Sequence, residues 1–172
     1  MVICDSNTVS FVVDEMCGKL ARWLRFLGFD TLYYTSHVLQ VDDTSILSKA
    51  AIENRVLITR DKELHRRAVE LGIKVILITS DVLKEKLKNV LLINLGCNQI
   101  VVNPRCPKCN GVLKRIPKER VKEKVPYRVY QRVNTFLECV NCGKIYWFGS
   151  HWNKIIGLLG EIGIEVILKN HV

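Results

Sequence analysis

Cysteine is spaced in this chain in a way few folds can satisfy. Cys106-Pro-Lys-Cys109 and Cys139-Val-Asn-Cys142 are two C-x-x-C pairs with 29 residues between them, and each runs on into turn formers, Asn110-Gly111 and Gly143. A tight turn there points backbone amides at the sulfurs while both thiolates of a pair reach one ion. Two such knuckles supply four soft ligands, the closed tetrahedral set of structural zinc, and the intervening residues suit the strands of a ribbon. Redox chemistry at one pair is the competing use, and two pairs together argue against it; iron is the competing metal. Of the seven cysteines, Cys4, Cys17 and Cys97 are scattered. An odd count without a secretory signal favours metal binding over a disulfide framework, and Cys17, in an amphipathic stretch, is expected to be a buried thiol.

At 172 residues the chain can bury one ordinary core with a small module beside it. Its composition, 48% hydrophobic and 25% charged, is that of a globular protein in water. The most apolar stretch, Ile155 to Leu168, is too short to span a bilayer and is broken by Glu161, Glu165 and three glycines. A start with Asp5 and no basic residues does not form a secretory signal, so a cytoplasmic protein without a membrane partner is expected. The net charge of +9 is unevenly divided: residues 1–103 hold 13 Lys+Arg against 12 Asp+Glu, and residues 104–172 hold 13 against 5. A basic module beside a balanced one suits a polyanion gripped by one and processed by the other, although basic residues also serve solubility alone.

Up to residue 103 the pattern alternates. Phe11-Val12-Val13 is a β-prone run ending at Asp14; Leu20, Trp23, Leu24 and Leu27 then recur at helical spacing, with Gly28 as a C-terminal cap. Thr31–Tyr34 makes a second strand, and Asp42 or Asp43 can cap a helix carrying Ile46, Leu47, Ala50 and Ala51. Val56–Thr59 is a continuous apolar strand, Asp61 opens a helix that Gly72 ends, Lys74–Thr79 is a fourth strand, and a Lys-rich helix runs from about Asp81 to Asn89. Four strand–helix alternations predict an α/β fold, a mostly parallel sheet with helices on both faces. The residues divide into 1–103 for this domain, 104–154 for the ribbon, and an apolar tail, 155–172, whose packing the pattern leaves open. Lys114–Arg132, rich in Lys, Arg, Pro and Val, predicts extended strands or basic loops.

Ligands of parallel sheets bind beyond the carboxyl ends of the strands. Asp14 follows the first strand, Asp61 lies just past the third, and Asp43 caps the helix between them at that same end. If strands one and three are neighbours these carboxylates converge, with Glu15, Asp42 and Glu63 as accessory acids. Their mutual repulsion is relieved by a hard divalent cation, Mg²⁺ or Mn²⁺, which can activate water and stabilise charge on a phosphoryl group. The same residues also serve as ordinary turn and helix-capping positions. Arg60, with Lys19, Arg22 and Arg25 on the first helix, could guide phosphates to this end. In the ribbon Lys114, Arg115, Arg128 and Arg132 are interleaved with Tyr127 and Tyr130, a pattern for phosphate neutralisation and base stacking. Tyr146-Trp147-Phe148 and Trp152 suit either stacking or packing, and His151 is a candidate phosphate contact or accessory catalyst.

Taken together, these motifs resemble the Mut-seven C-terminal RNase domain family, a PIN-like nuclease with an appended zinc ribbon. The resemblance rests on Phe11-Val-Val-Asp14-Glu-Met-Cys-Gly-Lys-Leu-Ala-Arg22-Trp-Leu-Arg25, Asp42-Asp43 and Val56-Leu-Ile-Thr-Arg60-Asp61, and on Arg105-Cys106-Pro-Lys-Cys109-Asn-Gly, Cys139-Val-Asn-Cys142-Gly and Trp147-Phe-Gly-Ser-His151-Trp152. It implies a metal-dependent ribonuclease with Asp14, Asp43 and Asp61 at the acidic positions, and Glu63 or Asp81 as a fourth acid. The expected partner is RNA, single-stranded, with the ribosome or tRNA as further possibilities. Two other functions compete: a non-catalytic zinc-ribbon RNA- or ribosome-binding protein, and a phosphoacceptor domain built on Asp14, Asp61 and Thr79, which lacks the lysine after a fifth strand that such a site needs.

Overall fold

The structure, a computed structural model, describes residues 2–35 and 42–168, except the side chain of His151. The chain opens with β1 (Ile3–Asp5) and β2 (Ser10–Val13), and a 3-10 turn, Glu15–Cys17, leads into α1 (Gly18–Phe26). Then come β3 (Asp30–Tyr33), α2 (Asp43–Ile52), β4 (Val56–Thr59), α3 (Lys62–Glu70) and β5 (Val75–Leu77). The short α4 (Leu83–Leu87) runs on as a π-helical segment, Lys88–Asn94, five residues past the expected end at Asn89, before β6 (Gln99–Val102).

Strands β3-β2-β4-β5 form a fully parallel sheet in that order. The first and third strands read from the sequence are β2 and β4, and they are neighbours, which is the condition set above for the acids to converge. Alternation along β2 decides the layers. Phe11 and Val13 join Ile58 and Ile76 against Leu20, Ala21 and Leu24 of α1 on one face. Val12 and Leu57 meet Ile46, Leu47 and Ala50 of α2 and Leu64 and Ala68 of α3 on the other. Helices on both faces account for the uninterrupted apolar runs.

A second module interrupts this arrangement. β7 (Leu113–Ile116), β8 (Phe136–Cys139) and β9 (Ile145–Trp147) make an antiparallel sheet. The segment expected to be extended or loop-like is instead partly helical, with a 3-10 turn at Lys118–Val121 and α5 at Tyr127–Arg132. Val121 of the 3-10 turn and Val129 of α5 pack with Val125 and Val133 around Ile116 and Phe136, an apolar spacing that sits beneath the charged composition.

The tail returns to the first module as α6 (Ser150–Gly160) and β10 (Glu165–Leu168). Ile155, Leu159, Ile162 and Ile164 are buried in the same cluster as Phe11 and Leu24. β10 pairs in parallel with β6, whose other side pairs with β1, giving a second sheet of order β1-β6-β10. Neither β1 nor β6 was legible as a strand: each is three or four residues long and stands out little from its loops. Among the described residues no helix is long and apolar enough to cross a membrane.

β1 and β6 also correct the expectation about disulfides. Cys4 is bonded to Cys97, with Cα atoms 5.6 Å apart. Their 93-residue separation hides the pairing in sequence, and only the parallel register brings them together. Closing so large a loop restricts the denatured chain by roughly 4–5 kcal/mol in the chain-entropy account. Non-reducing peptide mapping should recover the Cys4–Cys97 pair, and a Cys4→Ser/Cys97→Ser variant should melt roughly 5–15 °C below the oxidised protein.

Candidate functional site

Asp14 begins where β2 ends. Its amide donates to the Ile58 carbonyl of β4 at 3.1 Å, so the two strands deliver their carboxyl ends to one place. Asp14 is buried, 5% exposed, and its carboxylate accepts three hydrogen bonds. Oδ1 accepts from the Met16 amide at 2.9 Å, and Oδ2 accepts from the Arg60 amide at 3.1 Å and from the Thr59 hydroxyl. Thr59 Oγ1 in turn accepts from the Asp61 amide at 2.9 Å. This buried hydroxyl ties the two acids together and was not singled out in the sequence, where it looks like one more β-branched residue of the strand.

Asp61 caps α3, its Oδ1 accepting from the amides of Glu63 at 2.7 Å and Leu64 at 3.0 Å. At α2 the capping residue is Asp42, through the amide and hydroxyl of Ser45 at 3.0 and 2.7 Å. Asp43, expected as the cap, is instead the first helical residue. Its carboxylate is thereby released from the helix end, and it pairs with Arg67 of α3 at 2.8 Å.

Asp14, Asp43 and Asp61 all line one open pocket of about 130 Å³, with Glu15, Met16, Tyr34, Thr35, Ile46 and Leu64. Asp42 and Glu63 are not part of it: the first is spent on its cap, and the second is exposed and paired with Arg66. Asp81 pairs with Arg60 outside the pocket. Among the described residues, the group of metal-ligating side chains gathered within 4.8 Å of one another is the four cysteines. Beside the pocket the buried Cys17 thiol is pushed up to about 11, by burial and then by the charge of Asp14.

The cysteine cluster matches its sequence reading. Ligand atoms of Cys106, Cys109, Cys139 and Cys142 all lie within 4.8 Å of one another, with Cys106 and Cys139 buried and Cys109 and Cys142 at the surface. Asn110 and Gly143 hold the same place after their first cysteines, both at φ +66, so each knuckle turns through a left-handed residue. Gly111 is required for a different reason: a Cβ there would sit 2.8 Å from the Cys139 sulfur. Burial pushes the Cys106 thiol up, but the Tyr146 hydroxyl and the amides of Cys109 and Lys108 outweigh it and bring the thiol down to about 7. A thiol ionised near neutrality, three more sulfurs within reach and amides turned toward them fit a zinc ion.

Arg25 departs from its expected role. It is 7% exposed, and its guanidinium holds the carbonyls of Thr31 at 2.8 Å, Pro107 at 3.0 Å and Lys108 at 3.3 Å. Helical spacing paired it with the exposed Arg22, but the knuckle covers Arg25 and removes it from any phosphate. Asn110 completes the joint, accepting from the Thr31 amide at 3.1 Å and donating to Asp30 at 2.6 Å. Each acceptor left unpaired in such a buried joint costs roughly 1–3 kcal/mol. The joint holds the last turn of α1, whereas Asp14 precedes its first, so it lies roughly 13 Å along the helix axis from the acidic end.

Of the other cationic candidates, Lys19, Arg22, Lys114, Arg115, Arg128 and Arg132 are exposed. The Arg60 guanidinium is taken by Asp81. Tyr146, Trp147, Phe148 and Trp152 are engaged in packing: Trp147 meets Phe136, Phe148 meets Trp152, and Tyr146 meets Phe26, all edge-on.

A family model for the Mut7-C RNAse domain matches residues 9–159. The chain belongs to the Mut7-C RNAse domain family. The match runs from just before β2 into α6, taking in the acidic pocket and both knuckles and leaving β1 and β10 outside it. Family membership brings a nuclease, RNA-related role. No curated protein and no solved structure matches the chain.

Two outcomes follow from this geometry. The purified protein should carry one zinc per chain by elemental analysis; Cys106→Ser should lose it and unfold the ribbon, seen as lost near-UV signal from Tyr146 and Trp147. At the joint, Asp30 is raised by burial but held below the ordinary 3.8 by its bonds from Arg55 and Asn110. A depressed carboxylate stabilises fully above its unfolded value and loses that contribution as pH falls through the folded one. Asp30→Asn should therefore melt below wild type at neutral pH, and the gap should close as melts are taken from about pH 5 downward.

Proposed function

We propose that this protein is a metal-dependent ribonuclease that hydrolyses single-stranded RNA at the pocket of Asp14, Asp43 and Asp61. The observation carrying the reading is their shared pocket at the carboxyl ends of adjacent parallel strands, in a chain of an RNAse family. Three carboxylates around an open space are the oxygen donors a hard divalent ion takes, and an unneutralised trio would repel both one another and RNA. Asp14 and Asp61 would be the principal ligands of Mg²⁺ or Mn²⁺, which when bound supplies an activated water and neutralises phosphoryl charge.

The chain's own residues prepare that pocket. The Thr59 hydroxyl and the Arg60 amide fix Asp14, while the α3 amides fix Asp61, so neither needs to reorganise. Arg67 restrains Asp43 and can turn to a phosphate when that carboxylate is otherwise engaged. Lys19 and Arg22, exposed on α1, supply positive potential beside the acidic end, and the basic ribbon extends it. Tyr34 at the pocket wall offers a ring for the adjoining base.

One observation favours a non-catalytic RNA- or ribosome-binding role instead. Asp43 is paired with Arg67, so one of the three pocket carboxylates already has its charge balanced by the chain itself. Incubation of the zinc-loaded protein with a labelled single-stranded RNA and Mn²⁺ decides between them. Cleavage that falls at least 100-fold in Asp14→Asn and Asp61→Asn supports the enzyme. Tight binding with intact RNA supports the adaptor, and equal cleavage by wild type and variants exposes a contaminating nuclease.

A further inference from the structure

A second cavity lies where the ribbon meets the first module. It holds about 320 Å³ and is walled by Phe26 of α1, Tyr146 and Trp147 of β9, Phe148, and Trp152 of α6. Leu113, Leu137 and Ile145 add to the apolar lining, and Lys144 and Ser150 are its polar members. This size falls within the range of small-ligand sites, which favour junctions between modules. Apolar rings around open space are poorly served by water, and their flat faces suit a flat aromatic guest.

We propose that this cleft is a nucleobase-binding site: it receives one unpaired base of an RNA strand, with Lys144 meeting the adjoining phosphate. The proposal rests on the ribonuclease reading above and deepens it by naming where the strand is gripped. Charge argues for the occupant. Lys144 is exposed and lies 5.9 Å from the centroid of the Tyr146 ring, so a cation and an aromatic face stand together at the cleft. Lys114 and Arg115, both exposed, directly follow Leu113 of the lining, and residues 104–172 hold 13 Lys+Arg against 5 Asp+Glu. An apolar peptide or acyl chain would fill the cavity without using any of these cations. A nucleotide uses both: the base stacks, at roughly 1–3 kcal/mol, and the phosphate is neutralised.

Phe26 ends α1 and Asp14 precedes it, so the two sites mark opposite ends of one short helix. A base held in the cleft therefore fixes the register of the strand, selecting which phosphodiester, a few nucleotides along, reaches the carboxylates. The aromatic run thus packs and binds at once, since rings joined edge-on still bound an open space.

The test uses full-length, zinc-loaded protein and single-stranded RNA oligonucleotides carrying 2-aminopurine at successive positions, without added Mg²⁺ or Mn²⁺. At one position the emission should fall at least twofold on binding, as expected for stacking on aromatic rings. Ser150 is exposed at the start of α6, and Ser150→Phe would place a ring in the cleft. It should abolish that quench and weaken binding roughly 5–10-fold, with zinc content and circular dichroism unchanged. Lys144→Glu should weaken binding and lower the salt dependence by about one counterion; it also carries the test if Ser150→Phe does not fold. Full quenching and wild-type affinity in folded variants would overturn the cleft while leaving the ribonuclease reading in place. Wild-type protein that neither binds nor cleaves RNA would overturn both.

Discussion

The parallel pairing of β2 with β4 is the contact on which the architecture turns. β2 is the strand from which the chain winds first one way, through α1 to β3, and then back across to β4 by way of α2. Reversal of winding at this point puts α1 and α2 on opposite faces and leaves a crevice where neither covers the strand ends. Asp14 is carried into that crevice by the same backbone bond to Ile58 that continues the ladder. Backbone pairing and placement of the acids are thus one event, and Thr59, at the end of β4, joins the two strand ends through a hydroxyl that cannot be solvated.

How much of this could be read from the chain depends on where each signal lies. β2 and β4 were visible because strands covered on both faces are apolar throughout, and the knuckles because their ligands are adjacent in sequence. The acids were found by the rule that ligands gather at strand ends, but the division of labour between Asp42 and Asp43 was not. One residue of helical phase decides which of them caps, and composition carries no phase. Arg25 failed for a related reason: helical spacing predicts the face a side chain occupies, not what another module later lays upon it. The Cys4–Cys97 pair, β1 and β6 were hidden because their partners are distant in the chain. The valines of the ribbon did carry a four-residue period, masked by the lysines and arginines between them.

The ribbon is held by a joint of uncommon composition for a buried contact. Arg25 meets three backbone carbonyls rather than a carboxylate, so its charge is spread over dipoles, and burial pulls its pKa down. Asp30, close by, is shared between Arg55 and Asn110. Such a network is specific in geometry because Arg25 and Asn110 each bind more than one fixed partner across the joint, and it tolerates little substitution on either side. Because the carbonyls of Pro107 and Lys108, inside the first knuckle, are part of it, the turn that gathers the sulfurs also shapes the joint.

The strands β6 and β10 lie side by side, yet the whole ribbon is threaded between them. During synthesis the first module therefore waits, with Leu20, Leu24 and Leu91 lacking their final neighbours, until Ile155, Leu159, Ile162 and Ile164 have left the ribosome. The ribbon must therefore be made before that core can close. A chain arrested anywhere in the ribbon would present an open apolar face to the cell's proteases instead of a finished fold. The order of residues along the chain thus makes completion of the acidic module follow synthesis of the basic one.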